Sequence, residues 1–252
     1  MNHRNTFENF VVDESNKVVF DICSAVAKEP GKEFSNPLYL YSRSGLGKTH
    51  LLCAIADRIR RDRPEMNVIS VTAEEYTNEI ISAIQKNKVE ELRERYRRTD
   101  VLIIEDIQGI VGRERTQMEF FNTFNHLYET GKQIILSADR APNDYVMPEG
   151  FTSMDERIRS RLAWGVAIEI QSYDYEARKA ILKRKAELVE MDDVPDSVFR
   201  FIAEHVTTNV RELEGALNLI KAYSQVFKEP VNDVMARTIL KDMVSKKGKQ
   251  EP

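Results

Sequence analysis

The sequence predicts an α/β fold in which a parallel, three-layer αβα sheet domain is followed by a small all-helical lid subdomain. Two observations predict it. Short apolar runs rich in β-branched residues alternate with helical patterns from Leu38 to Gln171. From Tyr173 onward, amphipathic helical patterns follow one another without such runs between them. We therefore expect domains at residues 1–171 and 172–246, with a disordered polar tail at residues 247–252.

Composition narrows the class of protein. The chain has 252 residues, 42% of them hydrophobic, which is enough to bury a full core. A net charge of −4 argues against a polycation, so contact with nucleic acid needs a local basic patch. Cys23 and Cys53 lie in apolar helical patterns and are expected to be reduced core residues. Without a long apolar stretch or a signal peptide, the sequence indicates a cytoplasmic protein.

The first predicted strand, Leu38–Tyr41, leads into a glycine-containing loop and the start of a helix. Such a loop lets backbone N–H groups converge on phosphates, and the helix N-terminus adds partial positive charge. Lys48 would reach the β- and γ-phosphates of a nucleotide, and Thr49 would place its hydroxyl on Mg²⁺. Ser42 stands where the usual motif has its first glycine. The expected phosphate-binding residues are Ser44, Gly45, Leu46, Gly47, Lys48, Thr49 and His50.

A second strand is predicted at Val68–Thr72, followed by helices at residues 73–85 and 89–98. The next apolar run, Val101–Asp106, is closed by two acids. Acids at the carboxyl end of a parallel strand lie beside the phosphate loop in nucleotide-binding folds. Glu105 would hold Mg²⁺ through its waters, and Asp106 would polarise the attacking water.

Two helices and two strands are predicted between Asp106 and the lid. The segment Arg115–Tyr128 has apolar residues at helical spacing, and Gln133–Asp139 is a strand with a polar end. After a loop at residues 141–152, Arg157 and Arg161 stand four apart on a predicted helix, where an ordinary charged surface helix is an equally good interpretation. The last strand is predicted at residues 167–171. The predicted lid helices contain Tyr175–Leu182, Val198–Ala203, Val210–Leu217 and Val234–Met243.

Several phrases, in this order, closely resemble the AAA+ ATPase domain, domain III, of the bacterial chromosomal replication initiator DnaA. The resemblance covers nearly the whole chain, and the last phrase is highly specific. The phrases are Thr6-Phe-Glu-Asn-Phe-Val-Val, Asn36-Pro-Leu, Gly45-Leu-Gly-Lys-Thr-His-Leu-Leu, Asp106-Ile-Gln, Glu119-Phe-Phe-Asn-Thr-Phe-Asn, Arg157-Ile-Arg-Ser-Arg161 with Trp164-Gly, and Asn209-Val-Arg-Glu-Leu-Glu-Gly-Ala-Leu217.

The resemblance implies a role for each matching residue. Lys48 and Thr49 look like the Walker A pair, which implies ATP or ADP with Mg²⁺ as cofactors, and Glu105 and Asp106 look like Walker B. Asp139 occupies the sensor 1 position, and Arg211 occupies the sensor 2 position in the lid. Arg157 resembles an arginine finger given to a neighbouring subunit's ATP, with Arg161 beside it.

The same resemblance implies ATP-dependent self-association into a filament that binds single-stranded DNA and promotes origin opening. Ile81, Arg113, Arg115 and Thr116 match positions that line the DNA path. Replicative helicase or full-length DnaA are further partners that the family implies, and nucleoid association follows from DNA binding.

This sequence also departs from the family pattern. Ser42-Arg43-Ser44 replaces a glycine-rich loop start, Glu105 replaces an aspartate, and the loop from Arg140 to Arg157 is longer. We therefore expect nucleotide binding with weak hydrolysis. Stretches that resemble the family's helicase-interaction domain and duplex-reading helix-turn-helix domain are missing, so we expect either a fragment or a short divergent paralogue.

Three other functions fit parts of the sequence. A short Hda-like regulator of DnaA would carry a sliding-clamp-binding peptide, and Met1–Phe10 shows none. A helicase loader of the DnaC type would be distinguished by a helicase pull-down. A small-molecule P-loop kinase would leave Arg157, Arg211 and the lid helices unexplained.

Overall fold

The computed structural model of the chain describes residues 5–145, 154–191, 193–241 and 243. The chain forms two compact units. The larger unit comprises Met1–Phe10, Lys17–Arg43 and Lys48–Ile170, and the smaller unit comprises Val11–Asn16, Ser44–Gly47 and Gln171–Pro252. Two short segments that fall within the expected first domain, residues 11–16 and 44–47, thus group with the helices of the smaller unit.

The larger unit contains one five-stranded sheet in which every pair of neighbouring strands is parallel. The strands are β1 (Leu38–Tyr41), β2 (Val68–Thr72), β3 (Val101–Glu105), β4 (Gln133–Ala138) and β5 (Val166–Glu169). Their spatial order is β2-β3-β4-β1-β5. The central strands are buried on both faces, which is why they are uninterrupted apolar runs in the sequence.

Strand ends differ from the prediction by one or two residues. β3 and β4 each end one residue early, which leaves Asp106 and Asp139 in the turns that follow. Asp106 has a left-handed backbone with φ 55°, a conformation that a strand excludes. β5 runs from Val166 to Glu169, not from residue 167 to 171, because it pairs with the four residues of β1.

Six helices belong to the larger unit within the described residues, and they form the outer layers of the three-layer fold. They are α1 (Lys17–Lys28), α2 (Lys48–Asp62), α3 (Ala73–Gln85), α4 (Val89–Arg97), α5 (Glu114–Glu129) and α6 (Glu156–Leu162). α3 begins after Thr72 because Thr72 and Glu75 form a reciprocal capping box. Phe120 and Phe124 of α5 pack with apolar residues of β3 and β4 in the main core.

The smaller unit is built from four helices within the described residues: α7 (Tyr175–Leu188), α8 (Asp196–His205), α9 (Val210–Phe227) and α10 (Asp233–Ile239). The side chains of Asp174, Asn209 and Asn232 cap α7, α9 and α10. α10 covers the predicted Val234–Met243 helix as far as Ile239. Leu240 is a turn residue with ψ 4°, and Lys241 and Met243 are again helical.

Three further sequence expectations concern the two cysteines, one predicted loop and the predicted tail. Cys23 is buried and Cys53 is partly buried, and both are free thiols. The predicted loop at residues 141–152 is described only as far as Tyr145, and the predicted tail at residues 247–252 lies outside the described residues. Within the described ranges, no helix is long and apolar enough to cross a membrane.

Candidate nucleotide-binding site

Lys48, the first residue of α2, has a buried ammonium group. The side chain is 7% exposed, and Nζ donates hydrogen bonds to the carbonyl oxygens of Ser42 (2.8 Å) and Arg43 (3.2 Å). It also lies 3.3 Å from the Ser42 hydroxyl oxygen. A buried charge is costly unless hydrogen bonds compensate it. Ser42, the residue that replaces the motif glycine, is therefore one of the residues that hold Lys48.

Thr49 and Glu105 form a pair of oxygen donors at the carboxyl edge of the sheet. The Thr49 hydroxyl donates a hydrogen bond to Oε1 of Glu105, the last residue of β3. Mg²⁺ binds through one or two protein oxygens and keeps several waters, so this pair fits a magnesium site completed by water and phosphate. The described residues include no cluster of three or more His, Cys, Asp or Glu that could hold a metal ion.

Asp106 follows Glu105 with an exposed side chain. Its backbone N–H donates to the hydroxyl oxygen of Ser137 at 3.1 Å, and Ser137 is fully buried on β4. This bond between neighbouring strand ends supports the left-handed turn at Asp106, a conformation that is costly for a residue other than glycine. The turn leaves the carboxylate in contact with solvent, as the polarisation of a water molecule requires.

The Asp139 carboxylate forms hydrogen bonds with residues that follow it in the chain. Its carboxylate accepts hydrogen bonds from Arg140 Nε (3.1 Å), Arg140 Nη2 (2.9 Å) and the Tyr145 hydroxyl (3.1 Å). Partial burial acts to raise the pKa of Asp139, but the bonds from Arg140 and Tyr145 lower it below its ordinary value. Asp139 is therefore ionised at neutral pH, and its sensor role stays a prediction.

In the smaller unit, the loop Ser44–Gly47 lies against the start of α9. Gly45 and Gly47 have φ values of 81° and 107°, which L side chains rarely adopt. A Cβ atom on Gly45 would lie 2.9 Å from Oδ1 of Asn209, and the Val210 N–H donates to the Gly45 carbonyl at 2.9 Å. Glycine at position 45 thus permits the loop to approach this helix terminus.

Two further side chains of the smaller unit bind the same loop. Arg211 Nη1 donates to the Ser44 hydroxyl oxygen at 3.0 Å, and the Arg211 side chain is exposed. The Tyr173 hydroxyl donates to the Leu46 carbonyl at 3.0 Å. Burial, together with nearby Asp13, raises the pKa of Tyr173, so its phenol stays protonated and donates. The predicted lid arginine is thus in contact with the predicted phosphate loop.

His50, which the sequence places among the cofactor-binding residues, contacts the N-terminal segment. Its Nε2 lies 2.7 Å from the carbonyl oxygen of Thr6, and its ring meets Phe10 edge to face at 5.2 Å. These contacts anchor the segment to α2. A role for His50 in nucleotide binding stays a prediction.

The arginine pair lies on α6, as predicted. Arg157 forms a two-point pair with Asp155, with Nη2–Oδ2 2.7 Å and Nε–Oδ1 3.1 Å, and its side chain is 62% exposed. The hydrogen bonds from Arg157 to Asp155 raise the pKa of Arg157, so Arg157 stays protonated and positively charged. Arg161 donates to Asn125 Oδ1 and to the Arg157 carbonyl. Both guanidinium groups lie over the ring of Phe121.

The four predicted DNA-contacting residues differ in exposure. Ile81 on α3 is 47% exposed, and Arg113 and Arg115 are exposed at the start of α5. Among the described residues, neither arginine is paired with an acidic side chain, so both are available to phosphates. Thr116 is only 3% exposed, which makes its side chain the least accessible of the set.

Three residues around the loop and strand ends were not identified from the sequence: Ser137, Tyr173 and Asn209. Asn209 could have been recognised as a helix N-cap, because it directly precedes the helical pattern at Val210. Ser137 lies in the polar end of a predicted strand. Nothing local in the sequence signals that Tyr173 bonds a carbonyl 127 residues away.

Comparison with known proteins gives consistent matches. A family model described as the bacterial DnaA ATPase domain matches residues 1–169. The chromosomal replication initiator protein DnaA of Caldanaerobacter subterraneus subsp. tengcongensis is 44% identical over 250 residues, which are 99% of this chain and 55% of that protein. The chain therefore spans about half the length of this curated relative.

Two solved structures are similar in fold and sequence. Domain III of the Thermotoga maritima replication initiation protein DnaA is 35% identical, with a TM-score of 0.89 and coverage of 97% of this chain and 98% of that one. The replication initiator DnaA bound to AMPPCP and single-stranded DNA is 32% identical, with a TM-score of 0.77 and coverage of 90% and 69%.

Proposed function

Because the chain belongs to the bacterial DnaA ATPase domain family, we propose that it binds ATP with Mg²⁺, assembles head to tail with further copies, and binds single-stranded DNA to promote opening of a replication origin. Curated relatives are chromosomal replication initiators, and one solved relative holds AMPPCP and single-stranded DNA. These properties of the relatives support the same assignment for this chain.

The observation that carries nucleotide binding is the hydrogen bond between Thr49 and Glu105. Thr49 directly follows Lys48 at the start of α2. An ammonium, a hydroxyl and a carboxylate at one helix start are what the phosphates and Mg²⁺ of a nucleotide require. Lys48 would exchange the carbonyls of Ser42 and Arg43 for phosphate oxygens when a nucleotide binds, and the N–H groups of Ser44–Gly47 would add hydrogen bonds. Glu105 would orient the Thr49 hydroxyl, and the two oxygens would help to hold Mg²⁺, which would neutralise phosphate charge when bound.

Hydrolysis needs more than binding. In our proposal Asp106 polarises the attacking water, Asp139 senses the terminal phosphate once released from Arg140 and Tyr145, and Arg211 moves from Ser44 to a phosphate oxygen. Arg157 acts on the ATP of a neighbouring copy. Because arginine fingers contribute about 10³ to 10⁵ in rate to related phosphoryl transfers, an isolated chain hydrolyses ATP slowly.

An arginine finger that acts on the ATP of another copy requires the copies to assemble. A group that reaches into the next subunit's site makes a heterologous contact, which repeats along an axis and gives a filament if it does not close. Each copy then adds the exposed Ile81, Arg113 and Arg115 to one DNA strand. Two arginines bind phosphate weakly in salt, so useful affinity requires several copies.

The experiment is fluorescence anisotropy of labelled oligo-dT with ATP, a non-hydrolysable ATP analogue or ADP. The parent chain should bind cooperatively, with strong dependence on ATP and salt and without base preference. Arg157→Ala should remove the ATP dependence, because it breaks assembly. Arg113→Ala/Arg115→Ala should weaken binding without affecting nucleotide affinity.

Lys48→Ala should abolish the ATP effect by removing the phosphate contact. Its matched control is Lys17→Ala, because Lys17 likewise begins a helix but is exposed and, in the described part of the chain, forms an ion pair only with Asp21. The control should behave as the parent chain does. Binding that ADP supports as well as ATP, or that survives Arg157→Ala unchanged, would refute the assembly proposal.

A further inference from the structure

The two exposed arginines at the start of α5 occupy positions that do not favour folding. Arg113 is the N-cap residue and Arg115 lies in the first turn, where the helix dipole disfavours positive charge. Within the described ranges, neither side chain forms an ion pair with an acid that would offset this. The two charges therefore do not stabilise the helix, and they remain available to an anion.

The acid best placed to remove one of these charges is Glu119. Residues four apart on a helix are neighbours, with Cβ atoms about 5–6 Å apart, and opposite charges at this spacing attract. Glu119 stands at this spacing from Arg115, whereas adjacent side chains such as Glu114 and Arg115 do not face each other. The Glu119 side chain is only 15% exposed, and a carboxylate so far removed from water requires a partner.

The partner that Glu119 has is Arg93, which lies on α4. Arg93 Nε donates to Oε2 of Glu119 at 2.9 Å, and Nη2 donates to Oε1 at 2.7 Å. This two-point geometry occupies both carboxylate oxygens and is the strong form of an arginine–carboxylate pair. The third nitrogen, Nη1, donates to Oε2 of Glu90 at 3.1 Å, which holds the guanidinium from its own helix. Glu119 is therefore neutralised from α4 and does not draw Arg115.

We propose that Arg93 is a positioning residue for Arg115: by holding Glu119 in a two-point ion pair, it keeps the Arg115 guanidinium available to a phosphate of single-stranded DNA. This inference rests on the proposed DNA contact of Arg115. The alternative is that the pair only fastens α4 to α5. The two roles differ in what loss of the Glu119 charge does. It is harmless if Arg93 merely keeps Glu119 away from Arg115, and it is damaging if the ion pair is a structural link.

The test measures fluorescence anisotropy of labelled oligo-dT with the full chain and a non-hydrolysable ATP analogue, at several salt concentrations. The variants are Arg93→Met, Glu119→Gln and the two combined, together with Arg115→Ala alone and with Arg93→Met. Arg98→Met is the matched control, because it removes the same charge from the end of α4. Arg98 is exposed, and its ion pair with Glu94 lies within α4.

Arg93→Met should weaken binding about 1.5- to twofold per bound copy, the fold-change expected for one ion pair at this helical spacing. A strand held by four copies should then bind roughly five- to sixteenfold more weakly. The slope of log affinity against log salt should also fall by about 0.7 for each arginine withdrawn from the strand. Glu119→Gln and Arg98→Met should bind as the parent chain does.

The combined variant Arg93→Met/Glu119→Gln should recover the affinity and the salt slope of the parent chain, although the ion pair is absent. In the Arg115→Ala chain, Arg93→Met should have no further effect, because the group that it protects is gone. A structural link between α4 and α5 gives neither result.

A combined variant that binds as weakly as Arg93→Met would overturn the inference, because the loss would then come from the missing link. A further loss on adding Arg93→Met to Arg115→Ala would also overturn it, as would Arg93→Met binding as tightly as the parent chain. If Arg115→Ala alone leaves binding unchanged, the proposed DNA contact of Arg115 is wrong, and the role of Arg93 fails with it.

Discussion

Gly45→Ala should destabilise the smaller unit, because glycine is required there for two separate reasons. The backbone φ of 81° lies in the left-handed region, which costs an L residue roughly 1–2 kcal/mol. The new Cβ atom would also lie 2.9 Å from Oδ1 of Asn209 and 3.0 Å from its Cβ and Cγ. These approaches are too close for real Cβ contacts, so either the loop or the Asn209 side chain must move.

The Asn209 side chain cannot move without a further cost. Its Oδ1 caps α9 by accepting a hydrogen bond from the Glu212 N–H at 2.9 Å, and losing an N-cap costs about 0.5–2 kcal/mol. If the loop moves instead, the bond from Val210 N–H to the Gly45 carbonyl is lost. Adding the cost of the left-handed backbone to the loss of the N-cap gives a destabilisation of about 1.5–4 kcal/mol.

Gly215→Ala is the matched control for this change. Gly215 is exposed in the interior of α9, and a Cβ atom there would lie within 4 Å of no described residue apart from the adjoining helix backbone. The same substitution should therefore stabilise by about 1 kcal/mol, through helix propensity alone. Urea denaturation followed by circular dichroism, with hydrogen exchange of the α9 amides, should show shifts of opposite sign. A Gly45→Ala chain as stable as the parent would refute the reasoning.

Two further predictions concern acidic residues. Glu105→Gln should keep the rise in melting temperature that nucleotide alone gives but lose the further rise that Mg²⁺ gives. The reason is that the pair with Thr49 no longer carries a negative charge. A further rise with Mg²⁺ equal to that of the parent chain would contradict this. Burial acts to raise the pKa of Asp100, but bonds from Lys132 and the Asn67 N–H lower it. Its stabilising contribution is present above the unfolded-state pKa of roughly 3.9 and is lost as pH falls through the folded value. Asp100→Asn should therefore flatten the acid end of a urea-midpoint profile, and an equally steep profile would count against it.

The sheet was predictable because its central strands are buried on both faces. Val101–Ile104 is fully buried, so every position is apolar and the run is visible without any knowledge of tertiary contacts. The strand ends were less predictable. Asp106 and Asp139 look like the last residues of their strands in the sequence, but hydrogen bonds with Ser137 and Tyr145 place them in turns.

The residues of the candidate site could be predicted where several of them fall in one short sequence motif. Lys48, Thr49 and the glycines follow a known chemical motif, and the structure places Glu105 against Thr49. The partners of the loop in the smaller unit were not predictable. Tyr173 and Arg211 reach Leu46 and Ser44 across more than a hundred residues, and such contacts leave no periodic signal.

The burial of Thr116 follows from helical spacing, and its role on the DNA path stays a prediction. Thr116, Phe120 and Phe124 are spaced at four residues, and all three are buried. This is the core-facing row of α5, so the helical period alone places the Thr116 side chain inside. Arg113 and Arg115 lie at the start of the helix and outside this row, and both are exposed.

A single helix thus sets the positions of two predicted functional groups. The core row of α5 fixes the helix against the sheet, its N-terminus presents Arg113 and Arg115, and the row containing Phe121 supports Arg157. Because packed helices move as rigid elements, a change that tilts α5 would displace both groups together. A change confined to α6 would displace Arg157 alone. A tilt of α5 would therefore affect the predicted DNA contact and the predicted finger together, whereas substitution of single exposed side chains would affect them one at a time.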